Sequence, residues 1–241
     1  MFYFDELNGY KILRSDYIKP AEKDSGDKIT DSKNPEQNIK SVDAFFTTRE
    51  GNPVNSDFAS RILSPEQVHS ENIEIVDERN EYPETDGLIL TELNTAICLR
   101  FADCTPLIFY DTASHIGAIS HAGWRGTVMR IGVKTVAKMI LNYGSKPEDI
   151  TVIIGPAISK CCYEVSEEVR DALLNTVKNT EGLYSGRNVD LKKINARQLE
   201  EIGVKKIDIC PYCTSCNNDL FYSYRKENGT TERHYAVLKL T

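Results

Sequence analysis

Three apolar segments follow one another in the middle of the chain with only short turns between them. They cover residues 95–104, 106–111 and 115–123, and they are rich in aliphatic and aromatic side chains. Runs of this length and composition, bounded by turn residues, are typical of strands. We therefore predict three closely spaced strands here, and the rest of the fold must accommodate them.

The remaining elements are distributed unevenly along the chain. Further strands are predicted at 42–48, 73–77, 85–90, 151–158, 205–210 and 234–240, with a short helix at 57–63. Longer helices are predicted at 127–143, 164–177 and 189–203. Because the strands cluster first and the main helices come later, we predict a mixed α+β fold and not a regular doubly wound one.

The chain is long enough for one large domain with a sizeable core. It has 241 residues, of which 40% are hydrophobic and 27% are charged, which is ordinary globular usage. Residues 20–42 are polar, charged and nearly free of large apolar side chains. We predict a single domain over 1–241 that carries a flexible polar insertion at 20–42.

The net charge and the hydropathy of the sequence argue against two classes of partner, duplex nucleic acid and membranes. The formal net charge is −7, so a basic surface for duplex nucleic acid is not expected, although a small anion could still meet converging arginines. No apolar run is long enough to cross a membrane, and the first residues lack the basic and apolar regions of a secretory signal. We predict a cytoplasmic protein without nucleic-acid or membrane partners.

Two of the four histidines and one of the seven cysteines stand where tight turns are expected. His69 follows a predicted turn, and Cys104 and His121 stand at strand ends. One thiolate and two imidazoles can bind Zn²⁺ and leave a fourth position open, as in catalytic zinc sites. The spacing matches no short metal motif. From spacing alone, two hydrogen-bonded surface histidines and an inert buried thiol are the favoured interpretation of the same residues.

Three arginines are candidates for binding an anion. Arg49 follows a predicted strand, Arg125 precedes the predicted helix at 127–143, and Arg225 lies in FYSYRK near the end of the chain. A helix N-terminus attracts anions, and a guanidinium adds a planar fork suited to phosphate. Taken alone, each is better interpreted as a solvated surface arginine.

The most conspicuous local cysteine pattern is CPYCTSC at 210–216. Its first four residues have the spacing of a dithiol redox site, and its three cysteines could also bind a metal. The residues that follow are turn-like and do not predict the helix of a thioredoxin-type site, and a closed zinc site would need a fourth ligand. Cys161 and Cys162 are predicted to be small buried residues at a helix start.

Several motifs occur together in one order along the chain. They are TTREG (47–51), QVHS (67–70), TDGLIL (85–90), ADCTPL (102–107), HAGWRGT (121–127), GPAISKCCYEV (155–165), VDL with ARQL (189–199) and FYSYRK (221–226). This set resembles the YfiH/YlmD-type purine nucleoside phosphorylase family, long labelled "laccase domain" or "multicopper polyphenol oxidase". The resemblance runs from about residue 42 to the C-terminus. It implies a layered α/β fold like that of the cytotoxic-necrotizing-factor-like cysteine hydrolases.

The resemblance also implies a site and an activity. The implied zinc ligands are His69, Cys104 and His121. The implied reactions are phosphorolysis of adenosine, inosine and S-methyl-5′-thioadenosine, with deamination of adenosine alongside. On this hypothesis Arg49, Arg125 and Arg225 hold phosphate, and Asp103 or Asp86 moves a proton. The expected partners are a purine nucleoside and phosphate, and the expected state is a monomer or weak homo-oligomer.

Two other enzyme classes compete with this hypothesis. In a cysteine-nucleophile hydrolase, Cys104 would attack the substrate with His121 as base. In a polyphenol oxidase, copper would replace zinc, but such a site depends on many imidazoles and the chain has four histidines with no His-x-His pair.

Overall fold

The computed structural model describes residues 1–20 and 41–241. The insertion predicted at 20–42 therefore lies, apart from its end residues, outside the described residues. The single domain predicted over 1–241 stays a prediction.

Fourteen strands and four α-helices make up the described chain. The strands are β1 (Phe2–Leu7), β2 (Tyr10–Ser15), β3 (Val42–Thr47), β4 (Arg61–Leu63), β5 (Ile73–Ile75), β6 (Gly87–Leu90), β7 (Thr95–Phe101), β8 (Thr105–Asp111), β9 (Ile116–Ala122), β10 (Ile150–Ile154), β11 (Tyr184–Ser185), β12 (Asn188–Val189), β13 (Lys206–Ile209) and β14 (His234–Leu240). The helices are α1 (Trp124–Val128), α2 (Ile131–Tyr143), α3 (Glu167–Leu174) and α4 (Leu191–Glu200). Among these residues no helix has the length and apolar character that a membrane span requires.

Two six-stranded sheets form the framework. Sheet I has the order β1-β2-β3-β14-β7-β4, and sheet II has the order β13-β10-β8-β9-β6-β5. Most neighbours are antiparallel, and β4–β7, β5–β6 and β10–β13 are parallel. The predicted α+β fold is confirmed. Its likeness to the cysteine hydrolases stays a prediction.

The central strands are apolar throughout because sheet II is covered on both faces. Successive side chains of a strand point to opposite faces. Ile108 accordingly joins the core between the two sheets, whereas Phe109 joins a second core formed with α2 and α4. A strand that is buried on both faces has a continuous run of hydrophobic residues in its sequence. In sheet I, β7 is likewise covered on both faces, because Ile97 and Cys98 join different cores. The segments at 95–123 are therefore recognisable from the sequence alone.

The two sheets approach each other closely where Leu238 of β14 lies against Gly117 of β9. A Cβ atom at position 117 would lie 2.4 Å from Cδ2 of Leu238, so the leucine occupies the space that a side chain there would need. Leu238 is fully buried. The glycine thus allows the sheets to approach, and the leucine fills the gap it leaves.

The short helix predicted at 57–63 is wrong. Residues 56–58 form a turn, and Arg61–Leu63 form β4, which pairs in parallel with residues 95–97 of β7. The pairing satisfies backbone groups at the edge of sheet I, and Leu63 is buried there. A tertiary partner therefore overrides the local tendency.

The helix predicted at 127–143 is divided into α1 and α2. Arg130 separates them with φ of 59° and ψ of 44°, a left-handed conformation that ends one helix before the next begins. Arg125 consequently lies inside α1 and not in a turn before a helix.

The N-terminal strands β1 and β2 were not predicted. They form an antiparallel hairpin whose turn residues, Asn8 and Gly9, both have positive φ. The Asn-Gly pair is a strong hairpin signal, and the first residues alternate in burial as a hairpin over a core should.

The contact between the sheets can be tested with a double-mutant cycle. Leu238→Ala should lower the free energy of unfolding by about 3 kcal/mol because it leaves a cavity. Gly117→Ala alone should lower it by about 2 kcal/mol through overpacking. In the Leu238→Ala background the added methyl should enter the vacated space, and its cost should largely disappear.

Denaturant unfolding measures these free energies. Leu141→Ala is the matched control, since Leu141 is 84% exposed on α2, and it should change stability by less than about 0.5 kcal/mol. Strictly additive effects of the two core substitutions would contradict the proposed contact.

Candidate metal centre and active-site cavity

Three potential metal ligands converge at one end of sheet II. Cys104 lies in the turn between β7 and β8, His121 is the penultimate residue of β9, and His69 lies in the loop before β5. One ligand atom from each of the three lies within 4.8 Å of the others. The rings of His69 and His121 meet edge to face with centroids 4.7 Å apart. The structure thus brings together the three residues that the sequence singled out.

The carboxylate of Asp86 connects two members of this cluster, because it accepts hydrogen bonds from both His69 and His121. Its Oδ1 accepts a hydrogen bond from Nδ1 of His121 at 2.7 Å and from the backbone N–H of His69 at 3.1 Å. Its Oδ2 accepts from the backbone N–H and the hydroxyl of Ser70, at 2.7 and 2.8 Å. With Nδ1 committed to Asp86, Nε2 of His121 is the ring nitrogen left for a ligand.

Neighbouring groups in the cluster lower the pKa values of Asp86 and Cys104 and so favour their charged forms. Burial would raise the pKa of Asp86, but the hydrogen bonds from His121 and Ser70 outweigh it and lower the pKa to about 2. Burial would likewise raise the pKa of Cys104, but the adjacent His121 outweighs it and lowers the pKa to about 6. Cys104 therefore favours the thiolate, which is the form that binds metals and acts as a nucleophile.

Gly123 provides the space in which the ligands meet. A Cβ atom at this position would lie 3.0 Å from Sγ of Cys104 and 3.2 Å from Cδ2 of His69. The backbone of Gly123 has ordinary dihedral angles, with φ of −67°. Absence of a side chain, and not conformational freedom, is thus what this glycine of HAGWRG contributes.

The three ligands lie on the wall of a cavity of about 620 Å³. A cavity of this size suits a small organic ligand. Two tyrosines, Tyr163 and Tyr224, and three arginines, Arg100, Arg225 and Arg233, also line it. It therefore combines a potential metal centre with aromatic surfaces and positive charge.

The three arginines predicted to hold phosphate have different surroundings. Arg225 lines the cavity. Arg49 is outside its lining; Nη1 of Arg49 donates to Glu227 at 2.8 Å, and the guanidinium stacks on Tyr222. Arg125 is exposed and stacks on Trp124, also outside the lining.

The lining residues Arg100, Arg233, Tyr163 and Tyr224 were not predicted from the sequence. Arg100 is the penultimate residue of β7 and Arg233 directly precedes β14, and these two strands pair. The signal was available in principle, since each arginine stands at the same kind of strand end that drew attention to Cys104. It could be used only once the pairing of β7 with β14 was known.

Asp103 lies in the lining of the cavity, but the protein itself engages both of its carboxylate oxygens. Its Oδ1 accepts from the hydroxyl of Thr214 at 2.6 Å, and its Oδ2 accepts from the backbone N–H of Arg225 at 2.7 Å. Both oxygens are thus engaged in holding two distant loops against the turn that carries Cys104. This arrangement favours a positioning role over the proton transfer considered from the sequence.

The remaining histidines lie away from the cluster. Nδ1 of His115 is hydrogen-bonded to the hydroxyl of Tyr110 at 2.8 Å. His234 is fully buried and packs against Phe221. The cluster is therefore built on two imidazoles and one thiol, a donor set that fits a single zinc ion.

The environment predicted for Cys161 and Cys162 is wrong. Cys161 is exposed and Cys162 is half-buried, and both lie in a turn that ends before α3 begins. Their sulfurs lie beside that of Cys216. Within CPYCTSC, Cys210 is buried in the core between the sheets.

Comparison with known proteins agrees with the motifs. The family described as "Multi-copper polyphenol oxidoreductase laccase" matches residues 53–241. Purine nucleoside phosphorylase YlmD of Bacillus subtilis is 35% identical over 204 residues, which cover 76% of this chain and 72% of that protein.

Two crystal structures share the fold. YfiH of Bacillus licheniformis aligns with a TM-score of 0.77 and 29% identity, over 83% of this chain and 93% of that one. YlmD of Geobacillus stearothermophilus aligns with a TM-score of 0.74 and 30% identity, over 82% and 91% of the two chains. The resemblance found in the motifs is confirmed, and the chain belongs to the laccase-like YfiH/YlmD family.

Proposed function

We propose that this chain is a zinc-dependent purine nucleoside phosphorylase that also deaminates adenosine. The nucleosides would be adenosine, inosine and S-methyl-5′-thioadenosine, and the products of phosphorolysis would be the free base and ribose 1-phosphate. The observation that carries the proposal is the meeting of a His/Cys/His cluster with arginines and tyrosines in one cavity. The name of the Bacillus subtilis relative supports it. Cytoplasmic location and a monomeric or weakly oligomeric state stay predictions.

His69, Cys104 and His121 would hold the zinc ion. Nitrogen and thiolate donors suit zinc, and three protein ligands are the usual number in a catalytic site. When bound, zinc supplies a Lewis acid with one position open to a small ligand. Asp86 would keep His121 in the tautomer that presents Nε2. Copper remains a weaker proposal, because only two imidazoles are available.

The other lining residues would bind the two substrates. Arg225 and Arg233 present guanidinium groups suited to phosphate. Tyr163 and Tyr224 offer aromatic faces on which a purine can stack. Burial raises the pKa of Tyr163, so its hydroxyl stays protonated and can donate a hydrogen bond. Asp103 would act as a positioning residue that fixes the backbone of Arg225 beside the turn of Cys104.

A cysteine hydrolase is the second candidate function. Cys104, His121 and Asp86 stand in the order nucleophile, base and orienting carboxylate, with Nδ1 of His121 on Asp86. In such an enzyme phosphate would be irrelevant, and a substrate acyl group would be carried on Sγ of Cys104.

Product analysis separates the two functions. The purified protein is incubated with adenosine, with and without phosphate, and the products are identified by chromatography and mass spectrometry. Release of adenine should require phosphate and yield ribose 1-phosphate, and inosine should appear with or without it. Phosphate-independent chemistry with a covalent adduct on Cys104 and no zinc in the protein would establish the hydrolase instead.

Removal of a cluster ligand should abolish zinc binding at this site together with both activities. His69→Ala, Cys104→Ala and His121→Ala should each lower kcat/KM by about 100-fold or more, because several kcal/mol of transition-state stabilisation is lost. Metal analysis and steady-state kinetics measure the two effects. Cys98→Ala is the matched control, since that thiol is buried on β7 at the outer face of sheet I. A ligand variant that still releases ribose 1-phosphate would refute the metal-dependent mechanism.

The phosphate site can be mapped by comparing arginines inside and outside the cavity. Arg225→Ala and Arg233→Ala should each raise the KM for phosphate by about 10-fold or more, because a charge-assisted hydrogen bond is lost. Arg49→Ala removes a guanidinium that is already paired with Glu227, and it should leave this KM nearly unchanged. The reverse ranking would return Arg49 to the phosphate site.

A further inference from the structure

A second group of sulfur atoms lies outside the His/Cys/His cluster. Cys161 and Cys162 follow β10, and Cys213 and Cys216 follow β13. The four Sγ atoms all lie within 4.8 Å of one another. Sγ of Cys216 is 3.5 Å from that of Cys161 and 3.4 Å from that of Cys162. Four thiols from two separate loops therefore meet at one point.

The topology of sheet II explains this meeting. Strands β10 and β13 are parallel neighbours, so the segments that follow them leave the sheet at the same edge. The two segments remain paired beyond the strands, through a bridge between Ala157 and Cys213 and a hydrogen bond from the N–H of Thr214 to the carbonyl of Ala157 at 3.2 Å. The sulfurs are thus brought together by the fold and not by mobile side chains alone.

The distances suit a single tetrahedral ion. Four thiolates at about 2.3 Å from zinc lie about 3.8 Å from one another. The two contacts of Cys216 are a few tenths of an ångström shorter than this, and the remaining pairs have an upper limit of 4.8 Å. A disulfide would use two sulfurs only, and Cys216 is about equally distant from both of its neighbours. Four cysteines satisfy the complete ligand requirement of a structural zinc site.

Neighbouring groups are arranged to support negative charge on the sulfurs. The backbone N–H of Ser159 donates to Sγ of Cys213 at 3.4 Å. The buried ammonium of Lys192 donates to the carbonyls of Cys210 and Tyr212, the residues that lead to Cys213, at 2.7 and 3.0 Å. A zinc ion with four thiolates carries two negative charges, which this ammonium would partly offset.

We propose that Cys161, Cys162, Cys213 and Cys216 bind a structural zinc ion, distinct from any ion held by His69, Cys104 and His121. Each thiol gives its proton to solvent as its sulfur–zinc bond forms. The ion joins the loop that leads to Tyr163 to the loop that carries Thr214, whose hydroxyl bonds Asp103. It thereby fixes one wall of the cavity without touching the substrate.

The first test is the zinc content of the intact protein and of two variants. Protein purified from zinc-supplemented cells should contain about two zinc ions per chain, and Cys161→Ser/Cys216→Ser should contain about one. His69→Ala/His121→Ala should also retain about one zinc ion, because the four sulfurs remain in place. Cys210→Ala is the matched control, because it alters the same CPYC sequence and leaves the four sulfurs in place.

The second test identifies the ligands of the retained ion. Cobalt substituted into His69→Ala/His121→Ala should show thiolate-to-metal charge-transfer absorption and the visible bands of a tetrahedral site. In the wild-type protein, titration with a mercurial thiol reagent should release both ions to a chromogenic chelator, which gives a result even where a variant fails to fold.

Three outcomes would overturn the proposal. One is a His69→Ala/His121→Ala protein that folds but retains no zinc. Another is an unchanged zinc content in Cys161→Ser/Cys216→Ser. The third is a disulfide among the four cysteines, detected by counting thiols in denaturant under non-reducing conditions. Each of these outcomes is independent of whether the protein cleaves nucleosides, so failure here and failure of the proposed function are distinguishable.

Discussion

The buried carboxylate of Asp86 is the interaction on which the geometry of the cavity depends. It joins the loop of His69 to the end of β9, and it holds His69 in a left-handed conformation with φ of 63°. Such a conformation is costly for a residue with a side chain, so it persists only where the surroundings impose it. The three backbone N–H groups of residues 68–70 that point at Asp86 do so. Without this carboxylate, no shared hydrogen-bond acceptor would fix the positions of His69 and His121 relative to each other.

Much of the framework could be predicted because physical constraints act locally on those segments. The strands at 95–123 are continuous apolar runs, and the structure shows a core on each face of both sheets. Cys104 and His121 could be selected because strand ends present side chains to clefts. By contrast, β4 exists because of its partner β7, and the break at Arg130 is a backbone conformation that hydrophobic periodicity does not encode. Those features required tertiary information.

The cysteines illustrate the same limit more sharply. Cys161 and Cys162 stand about 50 residues before Cys213 and Cys216, a separation that matches no metal motif. Their proximity follows from the parallel pairing of β10 with β13, which the sequence does not state. CPYCTSC alone lacks a fourth ligand, whereas the fold places Cys161 and Cys162 beside Cys213 and Cys216. The sequence shows which residues can bind a metal, but it does not show which strands are neighbours.

The position of β14 has a consequence for biosynthesis. This strand is the last in the described chain, yet it lies in the middle of sheet I, between β3 and β7. While the polypeptide emerges from the ribosome, β3 and β7 each present an unsatisfied edge that only residues 234–240 can close. Sheet I is therefore completed only once β14 has been translated, and until then the edges of β3 and β7 stay open to intermolecular pairing.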